Sequence, residues 1–227
     1  MPISRDFFAR PAAEVAPELL GCVLEHETAA GLVAIELTEV EAYAGQTDPA
    51  SHAYRGQTRR NAVMFGPPGH AYVYFTYGMH FCVNLVCRGE DSASAVLLRA
   101  GAVIEGENLA RARRSRRNPG GAPDTPDQAR LASRDLARGP ARLCRALDID
   151  RSLDGADVCA ASAALRVRAP GTSPGASTTA RSPDIVCGPR VGVSMAAEVP
   201  WRFWFAGEPT VSVYRPHVPR HRKLVTP

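Results

Sequence analysis

Residues 33–56, "VAIELTEVEAYAGQTDPASHAYRG", set Glu39 and Glu41 two positions apart and follow them with Tyr43 and His52. A strand's period-two alternation would put Ile35, Leu37, Glu39, Glu41 and Tyr43 on one face, and Glu36, Thr38, Val40 and Ala42 on the other. An apolar face therefore runs straight into two carboxylates. Taken alone, a glutamate at a strand end is solvated or paired with an arginine. Here Arg59 and Arg60 follow closely, and then "HAYVYFTYGMHFCVNLVC" brings Tyr72, Tyr74 and Tyr77. Carboxylate, aromatic rings and arginines this close in sequence suit a pocket for a flat, apolar ring beside a general base. Asn84 adds to this: an amide within the apolar run "FCVNLV" must find partners or cost stability. Tyr77, at a turn, would be an exposed aromatic without a role.

The elements that must position these groups read as follows. Residues 11–20 form a short helix stopped by Gly21. Strands are expected at 22–27 and 32–43, followed by a long Gly/Pro/Asp/Ser-rich loop over 44–69. The two β-rich runs about Tyr77, Gly78 and Met79 make a hairpin, and "ASAVLLRA" is a further strand. Residues 105–147 turn helical, broken by "NPGGAPDTPD", and the end of the chain, from "PRVGV" through "VSVYR", returns to strands. Residues 169–183 read as a low-complexity, mobile loop. Strands on both sides of a helical section, without βαβ alternation, predict one α+β domain over residues 1–227. Its sheet is mostly antiparallel and curved like an open barrel, flanked by helices, with a protruding hairpin.

Composition excludes several classes. The 227 residues are 45% hydrophobic and 22% charged, an ordinary globular balance. No apolar run is long enough for a membrane span, and the N-terminal stretch lacks a secretory pattern. The expectation is a cytoplasmic protein, nucleoid-associated if bacterial. The six cysteines contain no C-x-x-C pair, so reduced thiols are expected rather than a zinc site or a disulfide framework. Of the 27 basic residues only Lys223 is lysine, which leaves lysine-nucleophile mechanisms almost no candidate.

The stretch "EVEAYAGQTDPASHAYRGQTRRNAVMFGPPGHAYVYFTYGMHFCVNLV" resembles the core of the alkyladenine (3-methyladenine) DNA glycosylase family. The pieces E-x-E-A-Y, D-x-A-S/A-H, T-x-R-N-x-x-M-F, Y-V-Y-x-x-Y-G-M and V-L-L-R-A stand in order, and "GPARLCRALDI" and "RVGV" follow. The likeness spans nearly the whole chain and is thinnest over 149–185. It implies a monofunctional, monomeric glycosylase without lyase activity, cofactor or metal. Such an enzyme flips alkylated or deaminated purines out of double-stranded DNA and hydrolyses the N-glycosidic bond with an activated water. It implies that Glu41 is the general base, and that Arg99 and the main-chain carbonyl of Val191 help hold the water. Tyr43, His52 and Tyr74 would stack on the flipped base, and Asn84 would crowd the 2-amino group of guanine. Tyr77 would wedge into the duplex, with Met79, His80, Arg59 and Arg60 also at the DNA. By the same likeness 3-methyladenine and 7-methylguanine are substrates, with hypoxanthine and ethenoadenine left open.

The role of Glu39 stays open, a supporting partner being one reading, and Tyr72 reads as a packing residue. The Arg111–Arg117 cluster reads by default as a solvated helix face, with part of it at phosphates as the alternative. His80 stands where relatives often carry tyrosine, and the segment between "RVGV" and "PWRFWF" is short. Two rivals remain. One is a non-catalytic nucleic-acid-binding module built on the basic stretches and aromatic hairpin. The other is a lyase using the amine of Pro2, against which stand Ile3 and the missing four-cysteine finger of that family.

Overall fold

The computed structural model describes residues 2–76, 78–89, 92–115, 131–171 and 184–219. Its elements are α1 (Arg5–Phe8), α2 (Ala12–Leu19), β1 (Val23–Thr28), β2 (Gly31–Tyr43), β3 (Ala71–Thr76), β4 (His80–Cys87), β5 (Ser94–Glu105), α3 (Glu107–Ser115), α4 (Pro140–Leu147), β6 (Leu165–Arg168), β7 (Ile185–Gly188) and β8 (Arg202–Phe205). Among these residues the strands form one antiparallel sheet, in the order β3-β4-β5-β2-β1-β6. β8 joins the far half of β2, and β7 joins β8. The sheet curls into a half-barrel flanked by few helices, the α+β architecture expected. No helix among the described residues is long and apolar enough to cross a membrane.

The helices bind through amphipathic stripes. α2 buries Ala12, Val15, Ala16 and Leu19, the i, i+3, i+4, i+7 pattern of a single face. α4 opens on Pro140, where a missing N–H costs nothing, and stops at Asp148 in the left-handed region. It buries Leu143, Cys144, Ala146 and Leu147.

β3, β4 and the first half of β5 keep strict alternation. Ala71 and Val73, Val83 and Leu85, and Val96 and Leu98 enter the main core under the helices. Tyr72, Val86 and Ala95 belong to a second cluster with Ala53, Met64 and Phe65 on the opposite face. β2 does not keep it. Ile35 and Leu37 join the main core, and so do Val40 and Ala42, a step of three between Leu37 and Val40. The pairing with β5 shifts register there, passing over Thr38 and Arg99. This irregularity corrects the strict-alternation expectation: Glu39, Glu41 and Tyr43 do not share a face with Ile35 and Leu37. A one-residue slip reverses every side chain beyond it, so the acid groups roll away from the apolar core.

The C-terminal third departs further from expectation. Only β7 and β8 are strands between residues 184 and 219. Val191 to Pro200 and the stretch after Phe205 run as loop, broken by Gly192 and Gly207 at positive φ. The mobile-loop expectation for 169–183 falls, beyond Gly171, outside the described residues.

The register shift on β2 depends on Gly101 of β5. A Cβ there would overlap the Glu36 carbonyl oxygen and Ile35 Cγ2. Overpacking of this kind costs about 1–3 kcal/mol, so Gly101→Ala is expected to lower the denaturation free energy by that amount. Chemical denaturation of both proteins checks it, and an unchanged midpoint would refute the close approach.

Candidate active site

The face opposite the main core carries the chemistry. From β2 it receives Glu39, Glu41 and Tyr43, from the hairpin Tyr72, Tyr74, Cys82 and Asn84, and from β5 Leu97 and Arg99. Most of these line a cavity of about 410 Å³, closed by His52 and Met64 on one side and by Pro140 and Val191 to Ser194 on another. The pocket expected from Tyr43, His52, Tyr74, Asn84, Arg99 and Val191 is therefore one physical space. Glu41, fully buried, sits directly behind its lining.

Each oxygen of Glu41 is held. Oε1 accepts the Val191 backbone N–H at 2.7 Å and lies 3.3 Å from Arg99 Nη1. Oε2 accepts the Tyr43 hydroxyl at 2.8 Å. Val191, singled out in the sequence for its carbonyl, reaches Glu41 through its amide. Tyr43 stays a neutral donor, since burial and then the Glu41 charge push its phenol well above the ordinary range.

Glu39 is the supporting partner. Its Oε1 accepts Arg99 Nε at 2.8 Å, Arg202 Nε at 2.7 Å and the Ser212 hydroxyl at 2.9 Å. Its Oε2 accepts the Ser212 N–H at 2.7 Å. Burial pushes its carboxyl up, but Arg99, Arg202 and Ser212 together outweigh burial and hold it below the ordinary value. Arg99 serves both carboxylates; although burial opposes its charge, Glu41 and then Glu39 raise its pKa.

The aromatic wall is a connected stack. Tyr72 and Tyr74 stack at 5.4 Å, and His52 meets Tyr74 edge-on at 4.5 Å. Tyr72, read from sequence as packing, both packs and lines the cavity, with its hydroxyl 3.3 Å from His52 Nδ1. Burial, with Arg60 second, lowers the His52 pKa, so the ring is neutral at neutral pH. Asn84 is buried and donates to the Tyr72 carbonyl at 3.3 Å. In the hairpin register it faces Tyr72, while Cys82 faces Tyr74.

The expected DNA-facing residues are dispersed. Tyr77 lies outside the described residues. Met79, at the hairpin tip, is 56% exposed, and with His80 it borders a smaller cleft beside α4. Arg59 and Arg60 are exposed, and Arg60 donates to the Phe75 carbonyl at 3.1 Å while its guanidinium lies 5.7 Å from the Tyr74 ring centre. Two members of the basic cluster are consumed internally. Arg113 is buried and bonds Thr28 Oγ1 at 2.7 Å, and Arg111 bonds Glu107 and the Leu131 carbonyl. Neither is a solvated helix face. Arg116 and Arg117 lie outside the described residues.

Sequence reasoning passed over Arg202 and Ser212, which hold Glu39, and the buried pair of Arg190 with Asp48. Arg190 and Asp48 had a signal, the first standing beside Val191 in "RVGV" and the second opening the D-x-A-S/A-H piece. Among the described residues no three metal-ligating side chains converge.

The Methylpurine-DNA glycosylase (MPG) family profile matches residues 6–209, which include every cavity-lining residue. A Streptomyces avermitilis protein is 54% identical over 225 residues, covering 98% of this chain and 96% of its own length. Proteins of Leifsonia xyli subsp. xyli and Frankia casuarinae are 50% and 48% identical over 96% and 95% of this chain, and 94% of their own lengths. All three carry the name "Putative 3-methyladenine DNA glycosylase". The chain belongs to the methylpurine-DNA glycosylase family, hydrolases of N-glycosyl bonds in DNA.

Proposed function

We propose that this enzyme removes alkylated purines, 3-methyladenine and 7-methylguanine foremost, from duplex DNA by a single water-dependent hydrolysis, leaving an intact abasic strand. The observation that carries this is Glu41: a fully buried carboxylate held by the Val191 N–H, the Tyr43 hydroxyl and Arg99 at the back of an aromatic cavity. An ionised carboxylate offers about four lone-pair positions, and three donors leave one for a water hydrogen. Glu41 takes that proton as the water attacks the sugar carbon, and the Val191 carbonyl accepts the water's other hydrogen. Positioned base catalysis of this kind is worth roughly 10²–10⁴-fold.

The target nucleotide must leave the duplex, at a cost of a few kcal/mol. Stacking on Tyr43, Tyr74 and the neutral His52 returns roughly 1–3 kcal/mol per base. Neutral ring faces also attract a cationic alkylpurine. Such a base leaves readily because its positive charge is lost with the bond. Hypoxanthine and ethenoadenine lack that charge and need leaving-group activation, so they are slower substrates in this reading. The enzyme acts as a cytoplasmic monomer and needs no cofactor.

Glu41 and Glu39 are expected to separate activity from stability. Glu41→Gln should slow single-turnover base release by 10²-fold or more while the protein still binds abasic-analogue DNA. Glu39→Gln should instead destabilise the fold by about 3–5 kcal/mol, since Arg99 and Arg202 lose their buried counter-charge. The carboxyl of Glu39 is held below 4.5, so its contribution is complete above that pH and fades as acid takes it through its lowered pKa. Wild type should thus lose melting temperature in acid more steeply than Glu39→Gln. A Glu41→Gln enzyme as fast as wild type would remove the base assignment.

Asn84 is expected to reject guanine. It crowds the 2-amino group of a base stacked in the cavity, so Asn84→Ser should raise release of undamaged guanine relative to 3-methyladenine. Single-turnover rates on both bases measure this, and an unchanged ratio returns Asn84 to a packing role.

Phosphate neutralisation is expected to rest on the exposed Arg59 and Arg60. Replacing both with glutamine should reduce the slope of log K against log salt by about 0.9 for each phosphate that is no longer neutralised. An unchanged slope would place the DNA backbone elsewhere.

A further inference from the structure

Arg190 and Asp48 form an ion pair with no role in the mechanism above. Both side chains are buried, at 0% and 1% exposure. The fork is bidentate, with Nη1 at 2.5 Å from Oδ2 and Nη2 at 2.9 Å from Oδ1. Such a pair gains little stability, because removing two charges from water offsets their attraction and apolar replacements are often neutral or better. Arg190 Nε is also buried without a hydrogen-bond partner among the described residues. A costly arrangement of this kind points to geometry as its purpose.

Its connections converge on Glu41. Arg190 immediately precedes Val191, whose N–H holds Glu41 Oε1. Its Nη1 also donates to the carbonyl of Ala42 at 3.1 Å, the residue between Glu41 and Tyr43. Its guanidinium lies 4.7 Å from the Tyr43 ring centre and 5.4 Å from that of Trp201. Tyr43 lines the cavity and Arg190, packed on its ring, does not. Asp48 in turn accepts the N–H groups of Ala44 and Ala50, fixing the loop that leads to His52. Asp48 balances the Arg190 charge, and beside a weaker direct attraction between Arg190 and Glu41 the pair acts on the site as a mechanical clamp.

We propose that Arg190, seated by Asp48, is a positioning residue that aims Glu41 by fixing both of its uncharged donors, the Val191 amide and the Tyr43 hydroxyl. The proposal rests on Glu41 as the general base. Lysine in place of Arg190 keeps the charge and loses the planar fork and the ring stacking. Misplacing a reacting group by about 1 Å can cost 10²-fold in rate.

The test compares wild type, Arg190→Lys, Asp48→Asn, Glu41→Gln and the Arg190→Lys/Glu41→Gln double variant. Single-turnover release of 7-methylguanine and affinity for an abasic-analogue duplex are measured for each. Arg190→Lys is expected to slow release by about 10²-fold with affinity nearly unchanged. In the Glu41→Gln background the same substitution should slow residual release no further, because a residue acting only through Glu41 is silent without it. Asp48→Asn is near-isosteric and should show the same split, which keeps the test available if Arg190→Lys does not fold. Wild-type release by a folded Arg190→Lys or Asp48→Asn enzyme overturns the proposal. So does an equal slowing by Arg190→Lys with and without Glu41, which marks general loosening. A fast Glu41→Gln enzyme overturns the base assignment itself, and this proposal with it, an outcome visible in that single variant alone.

Discussion

The carboxylates of Glu39 and Glu41 leave the same strand on the same face, in an interior too dry to tolerate two uncompensated negative charges. The Arg99 guanidinium between them makes the arrangement possible. It touches both, and Arg202 supplies the second positive charge that the pair requires. Two carboxylates and two guanidiniums balance, so both acids are paired at full burial. The division of labour then follows from the remaining donors. Glu39 accepts four hydrogen bonds and is saturated. Glu41 accepts from one amide and one hydroxyl beside its ion pair with Arg99.

The sheet lets such a polar network coexist with an apolar core by keeping the two on opposite faces. In β3, β4 and the first half of β5 ordinary alternation suffices, with Val73, Val83 and Val96 turned to the core and Tyr74, Asn84 and Leu97 turned to the cavity. In β2 it does not, because its first half must be apolar where Ile35 and Leu37 pack, and its second half must deliver acids to the other side. The register shift at Thr38 reconciles the two requirements. It also marks where the partner of β2 changes from β1 to β8.

Much of this was legible in residues 33–99. The strands, the hairpin, and the coincidence of Glu41, Tyr43, His52, Tyr74 and Asn84 in one pocket follow from alternation, turn chemistry and family likeness. The face swap on β2 did not, because a skipped residue leaves no mark in a sequence whose alternation reads equally well without it. Ser212 was invisible for a different reason. A serine in a loop says nothing until the chain folds it back 173 residues onto Glu39. Arg113 misled for a third: a run of arginines looks solvated, yet one of them lies on the buried stripe of α3 and finds Thr28 across the interface.

The long reach of these bonds governs when the network around Glu41 can be completed. Translation delivers the strand with Glu39 and Glu41, the aromatic hairpin and Asn84 early. The Val191 amide emerges 150 residues after Glu41. Arg202 and Ser212 come later still. A nascent chain paused before that point has Glu41 with Tyr43 and Arg99 but without the Val191 amide, and Glu39 with Arg99 but without Arg202 and Ser212. Such distant pairings are also the slow steps of folding. The network around Glu41 and Glu39 is therefore completed only once residues 191–212 have been made and have folded back onto β2.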